Sequence, residues 1–329
     1  MTEKAIINTF NAISDSNILI IGDVILDAYF HGKVDRISPE APVSILDVEK
    51  KDYRLGGAAN VALNLKALGA SPILCTVIGS DSSGEKIIDL LNAEGLDTSG
   101  VIKSPSRITS LKTRLVSSNR QLMRVDEERV EALNREDEQQ LSDLIAGMIA
   151  SNKPDAIIFE DYDKGAISLS IISKTIELAR VQDILVTVDP KKKNFLSYSG
   201  ATLFKPNLKE LREGINNPSI ETSKESLRKA YEFLNDVMPV EIALFTLSSH
   251  GMYVTNGVSD ALIPTEANQI ADVSGAGDTV IAAATCALIA GLPLEEIARF
   301  ANTSAGLVCK SPGVVAIDLN SFKNALKST

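Results

Sequence analysis

The stretch Ala271-Asp272-Val273-Ser274-Gly275-Ala276-Gly277-Asp278-Thr279-Val280 decides how this chain is read. It has the pattern of a polar strand end, a glycine-flanked turn and an apolar helix running from about Thr279 to Ala290. Gly275 and Gly277 let bare backbone approach whatever lies in front of that helix. A helix start offers unpaired N–H donors and the positive end of the dipole, which suits an anion. Asp278 sets a carboxylate at the same point. Such a carboxylate can take a proton from an attacking hydroxyl while the N–H groups hold a transferring phosphoryl group. The same residues also satisfy a plain helix cap after a turn. Taken alone the stretch leaves both readings open.

Around it lies a chain of 329 residues, 44% hydrophobic and 23% charged. That composition is ordinary for a globular protein and allows one large α/β domain or two smaller ones. A net charge of −10 argues against sequence-independent nucleic-acid binding, which needs a basic face. Cys75, Cys286 and Cys309 are odd in number and sit in apolar runs, as buried thiols of a reducing compartment do. The start lacks a signal-peptide pattern and no apolar run reaches membrane-spanning length. The expectation is a cytoplasmic protein with neither membrane nor nucleic-acid partners. His31 and His250 stand in no recognisable catalytic setting, and no Cys/His cluster has zinc spacing. Any metal is then expected to be a hard cation held by oxygens.

The run from Asn17 to Asp23 reads as a strand buried on both faces, ending in Gly-Asp. Asp23 and Asp27 fall at its C-terminal end, where open α/β sheets place ligands. Asp23 is read as a turn or cap residue, and Asp27 as the better ligand. Residues 28–55 and 107–127 change to polar-alternating pieces, read together as a small sheet projecting over the site. Between them Gly56-Gly57-Ala58-Ala59-Asn60 leads into a helix that stops at Gly69. Gly79–Lys86 imitates a P-loop, but Glu85 stands where Lys must follow the glycine, so it is read as a plain loop. No G-x-G-x-x-G fingerprint occurs, which argues against a dinucleotide oxidoreductase.

After Arg135 the βα rhythm returns, with strands at Ala156–Glu160, Leu185–Val188, Thr202–Phe204 and Ile242–Leu247. Helices are expected at about 135–150, 166–180, 208–214 and 222–236. Each strand ends in polar residues, which describes one binding edge. Asn207 and Glu210, three apart in Asn207-Leu208-Lys209-Glu210, share a face of a helix start. A Glu there is also what the helix dipole favours. Residues 297–310 form a last helix before Ser311-Pro312-Gly313.

Asp272-Val273-Ser274-Gly275-Ala276-Gly277-Asp278 resembles the signature D-T-x-G-A-G-D of the ribokinase (PfkB) family of sugar kinases, with Val273 for the usual Thr. The glycine pair with Asn60 resembles the family's other signature. The resemblance implies a three-layer α/β/α fold with a mostly parallel sheet and a β-sheet lid that also makes a homodimer contact. It makes Asp278 the catalytic base, and Gly275, Ala276 and Gly277 the anion hole. Asp27, Gly56, Gly57 and Asn60 would hold the sugar. Asn207 and Glu210 would order Mg2+ through water beside the phosphates of ATP, with Leu208 and Lys209 in the same element. Thr246, Ser248 and Gly251 would line one side of the nucleotide and Asn302 the other. A monovalent cation is left open.

Arg36–Val43, Gln121–Asp126, Asp161–Ala166 and Val188–Lys191 resemble more narrowly the family's kinases for D-glycero-D-manno-heptose 7-phosphate. That likeness implies anomeric phosphorylation in ADP-heptose synthesis for lipopolysaccharide. Arg124, Asp161, Lys164 and Lys191 become substrate-binding candidates, since a terminal phosphate needs point charges or donor forks. Glu160 and Asp163 add negative charge that disfavours an anionic substrate unless Lys164 and Arg124 offset it, so another sugar stays open. So does a sugar-binding protein of this fold without catalysis. No H-x-G-H element follows, so the expectation is one kinase domain over residues 1–329, with adenylyl transfer on another chain.

Overall fold

In the computed structural model, residues 1–118, 120–265 and 270–328 are described. Helix α1 (Glu3–Ser14) leads into β1 (Asn17–Gly22), followed by the long hairpin of β2 (Val24–Ile37) and β3 (Ser44–Gly57). Next come α2 (Ala58–Leu68), β4 (Ser71–Gly79), α3 (Ser82–Ala93), β5 (Val101–Ser104), β6 (Ser110–Ser117) and β7 (Arg120–Glu127). Then α4 (Arg135–Asn152), β8 (Ala156–Glu160), α5 (Leu169–Val181), β9 (Leu185–Asp189) and β10 (Leu203–Phe204) alternate. Helices α6 (Leu208–Gly214) and α7 (Lys224–Val237) precede β11 (Ile242–Thr246), β12 (Met252–Thr255) and β13 (Asp260–Ile263). The chain closes with α8 (Ala276–Ile289), α9 (Leu294–Val308) and α10 (Leu319–Ser328).

Among the described residues, nine strands make one sheet in the order β13-β12-β11-β10-β9-β8-β1-β4-β5. All its pairings are parallel except β11–β12 and β12–β13. Burial on both faces explains the continuous apolar run of β1. Ile18 and Ile20 pack into one core with α2, α8 and α9, while Leu19 and Ile21 pack into the other with α4, α5 and α7. Three layers result. Helix α8 lies within the first core, which is why its residues Thr279–Ala287 are buried all round. The chain runs outward from β1 through β4 to β5, then crosses to β8 and runs outward the other way. The switch lies between β1 and β8, where such sheets open a crevice at their carboxyl ends.

The second sheet, in the order β3-β2-β6-β7, is the small lid. Its hairpin reaches deeper than residues 28–55, because β2 already pairs at Val24 with Gly57. Asp27 and Gly56 therefore belong to the lid's root. Helix α8 likewise begins at Ala276, ahead of Thr279, because Gly275 at φ +76° supplies the left-handed turn before it. Helix α5 starts at Leu169, later than expected, where the Ser168 hydroxyl caps it. The last long helix begins at Leu294, ahead of residue 297.

One carboxylate fixes the loop that follows β8. Asp23, buried at the end of β1, accepts the backbone N–H groups of Tyr162 (2.9 Å), Lys164 (3.0 Å) and Ala166 (3.0 Å). Asp23→Ala strands three buried donors, so it is expected to lower unfolding free energy by about 2–4 kcal/mol in urea titration. A loss below about 1 kcal/mol would show that the loop holds itself.

Candidate active site

Asp278 lies in the first turn of α8 and is buried. Its Oδ2 accepts a hydrogen bond from Asn60 Nδ2 at 2.7 Å, and its Oδ1 accepts one from the Tyr162 hydroxyl at 2.6 Å. Asn64 Nδ2 donates to Asn60 Oδ1 at 3.2 Å, which turns the Asn60 amide so that its NH2 faces the carboxylate. Burial pushes Asp278 up to about 6; the two hydrogen bonds oppose the shift, and the charges of Asp189 and Asp27 add to it.

Glu160 and Asp189 end the neighbouring strands β8 and β9 in register. Carboxylate oxygens of Glu160, Asp189 and Asp278 all lie within 4.8 Å of one another. Neither Glu160 oxygen has a hydrogen-bond partner among the described residues. Burial, then the charges of Asp189 and Asp278, push Glu160 well above the usual carboxylate range. Lys205 Nζ, itself buried, stands 2.9 Å from Asp189 Oδ2, and Lys191 Nζ stands 3.9 Å from Asp189 Oδ1. A Cβ on Gly277 would stand 3.5 Å from Asp189 Oδ2 and 3.8 Å from Lys205 Nζ, so the start of α8 faces this charged pair.

A cavity of about 620 Å³ opens in front of α8. It is lined by Gly275, Ala276 and Gly277, and by Thr246, Ser248, Gly251 and Asn302. Asn207, Leu208, Lys209, Glu210 and Lys191 line it as well. Every residue expected at the nucleotide is thus brought to one space. Its apolar wall includes Leu247, Met252, Ile270, Val273, Val280 and Ala305. Asn302 also ties the wall together, since its Nδ2 donates to the Pro264 carbonyl at 2.8 Å.

Asn207 and Glu210 form a reciprocal capping box at the start of α6. Asn207 Oδ1 accepts Glu210 N–H and Glu210 Oε2 accepts Asn207 N–H, both at 2.9 Å. Lys191 Nζ is 2.5 Å from Glu210 Oε1. Burial works against the charge on Lys191, but Asp189, Glu210 and Glu160 outweigh it and keep the ammonium protonated. Since these acceptor oxygens already have protein donors, the donor set fits a hard cation through its waters.

On the lid side, Asp27 Oδ1 pairs with Arg114 Nη1 at 2.5 Å. Burial raises Asp27, against the pull of that arginine. A Cβ on Gly56 would fall 2.2 Å from Asp27 Oδ2, so only glycine leaves the carboxylate room. Gly57 sits at φ +60°. The guanidinium groups of Arg54 (4.9 Å) and Arg114 (5.1 Å) both lie over the Tyr29 ring. Tyr29 and Arg54 also reach the segment behind α8: the Tyr29 hydroxyl accepts Val314 N–H, and Arg54 donates to the Pro312 and Val314 carbonyls. Asp272 accepts Gly313 N–H in the same segment.

Of the expected substrate residues Lys191 lines the cavity, Asp27, Gly56, Gly57 and Asn60 gather at the lid root, and the other three are engaged elsewhere. Arg124 is half exposed on β7 and bonds Asp126 twice, at 2.8 and 3.0 Å. Lys164 Nζ is 2.8 Å from Glu128. Asp161 turns away: its Oδ2 accepts from Asn194 and from the Tyr198 hydroxyl, while Tyr162 takes the position against Asp278. Successive residues leaving a strand point to opposite sides, so Asp161 and Tyr162 face different surroundings. Tyr162 and Arg114 are the functional-site residues that the sequence reading missed. A buried Asp27 in need of a partner was the available signal for Arg114; composition held none for Tyr162.

A family model described as pfkB family carbohydrate kinase matches residues 15–320. The chain is 39% identical over 327 residues to the bifunctional protein HldE of Pelobacter propionicus, covering 99% of this chain and 66% of that protein. It is 39% identical over 312 residues to the HldE of Helicobacter pylori, covering 95% and 66%. The chain thus spans about two thirds of the length of these relatives. Among solved structures it resembles Escherichia coli phosphofructokinase-2 in complex with potassium, with a TM-score of 0.77 at 20% identity over 95% of this chain and 98% of that one. It also resembles Arabidopsis thaliana ribokinase complexed with ribose and ATP, with a TM-score of 0.73 at 19% identity over 95% and 99%. These structures share the fold. Matched along almost its whole length by the family model and by relatives, this chain belongs to the pfkB family of carbohydrate kinases.

Proposed function

We propose that this chain transfers the γ-phosphoryl group of ATP to the anomeric hydroxyl of D-glycero-β-D-manno-heptose 7-phosphate, giving the 1,7-bisphosphate for ADP-heptose synthesis. The observation that carries the reading is Asp278: a buried carboxylate with two donors, at the mouth of a helix whose amides face a cavity. The acceptor hydroxyl attacks the γ-phosphorus and Asp278 takes its proton. The N–H groups at the start of α8 stabilise the charge on the transferring group, and Lys205 and Lys191 add positive charge beside it. Mg2+, when bound, neutralises phosphate charge, and Asn207 and Glu210 would hold its waters. Asp27, Gly56, Gly57 and Asn60 would hold the sugar, with Arg124 and Lys164 meeting the remote phosphate as the lid closes. Lys191 would serve at the nucleotide phosphates.

The heptose rests on the four stretches that resemble such kinases and on relatives whose name marks them as bifunctional. The reading extends to one kinase domain and a cytoplasmic location; no described helix is long and apolar enough to cross a membrane. It extends to a homodimer through the lid, which exposes Ile37, Val48, Leu122, Met123 and Val125. It includes a monovalent cation, since one solved relative was determined with potassium.

A panel of sugar phosphates with Mg·ATP tests the substrate; faster turnover of a hexose or pentose phosphate than of the heptose 7-phosphate would overturn it. Asp278→Asn should keep ATP and sugar binding and lose about 10²–10⁴-fold in kcat. The base must be ionised, so wild-type turnover should fall as pH drops through about 6. Arg124→Ala should raise KM for the sugar phosphate about tenfold or more and leave KM for ATP unchanged.

A further inference from the structure

Tyr162 approaches Asp278 from β8, on the other side of the carboxylate from Asn60 in α2. Its backbone is not free to drift, because Asp23 accepts the N–H groups of Tyr162 and Lys164. Lys191 Nζ stands 5.0 Å from the centre of its ring and further confines it. Burial and the charges of Asp278, Glu160 and Asp189 push the phenol well above its ordinary range. It therefore stays protonated and meets the carboxylate only as a donor.

We propose that Tyr162 is a positioning residue for phosphoryl transfer: its O–H fixes the rotation of the Asp278 carboxylate and holds it in the proton-accepting form. This rests on Asp278 being the base. Each carboxylate oxygen has two lone pairs, so one hydrogen bond to each leaves a lone pair on each for the acceptor's proton. The terminal torsion of an Asp side chain is soft, and two donors on opposite oxygens pin it. The surroundings otherwise favour protonation: Glu160 from β8, Asp189 from β9 and Asp27 from β2 are all acidic. Lys205 and Lys191 lie beyond Asp189, and their nearest anions are Asp189 and Glu210. Tyr162 and Asn60 are the groups that touch the carboxylate and favour its charge.

The test is the pH dependence of kcat/KM for heptose 7-phosphate at saturating Mg·ATP. Tyr162→Phe removes one oxygen and leaves the ring under Lys191. Its acid limb should move up by about one pH unit, a loss of about fivefold at the pH of the wild-type midpoint and about tenfold well below it. KM for ATP should stay at the wild-type value. Replacing Tyr162 by 3-fluorotyrosine, a more acidic phenol and a stronger donor, should move the limb the other way. A limb that stays in place in both variants overturns the inference. Asp278→Asn in the same assay separates the two levels. Its retained turnover would sink the base assignment, whereas an inactive Asp278→Asn beside an unmoved limb in Tyr162→Phe would sink only the role of Tyr162.

Discussion

Three carboxylates, Glu160, Asp189 and Asp278, share a buried space in which no two ligand oxygens are more than 4.8 Å apart. At that separation in a low-dielectric interior they cannot all carry charge. The fold answers with two ammonium groups, Lys205 and Lys191, beside Asp189, a Glu160 whose ionisation is disfavoured, and two neutral donors on Asp278. Those three answers come from different elements, so much of the architecture is committed to holding them together. Strands β8 and β9 must end in register to bring Glu160 beside Asp189. Gly22 must be glycine, since a Cβ there would lie 2.2 Å from the Glu160 carbonyl. Helix α2 must present Asn60, and Asn64 one turn later must orient it.

The same arrangement divides the site into two chemical environments. Toward the cavity lie lysines, amides and the α6 capping box, which are complementary to phosphate. Toward the lid root lie Asp27 and Asn60, whose side chains are complementary to hydroxyl groups. Asp278 stands on the boundary.

Much of this was legible in the chain. Continuous apolar strands ending in polar residues announce a doubly covered parallel sheet, and Gly275-Ala276-Gly277-Asp278 announces a glycine turn that sets a carboxylate at a helix start. The limits have physical causes. Tyr162 and Asp161 are adjacent, and which of them faces the site depends on the last half-turn of a loop fixed by Asp23, 139 positions away from Tyr162 in sequence. Arg114 meets Asp27 across 87 positions, through strand pairing that local periodicity does not encode. Element ends moved by a few residues wherever a cap such as Gly275 or Ser168 overrode the apolar pattern.

The stack of Arg54, Tyr29 and Arg114 joins the lid root to Pro312, Val314 and, through Gly313 and Asp272, to the turn before α8. Mechanically this is a crossbar between the sheet proposed to cover the acceptor and the turn proposed to cradle the phosphoryl group. A lid lifted at its root would pull on that crossbar, so widening the entrance and slackening the cradle would be one displacement. Leaving groups would then be loosened by the same movement that lets solvent in, and the molecule would need no separate latch for ejecting what it has made.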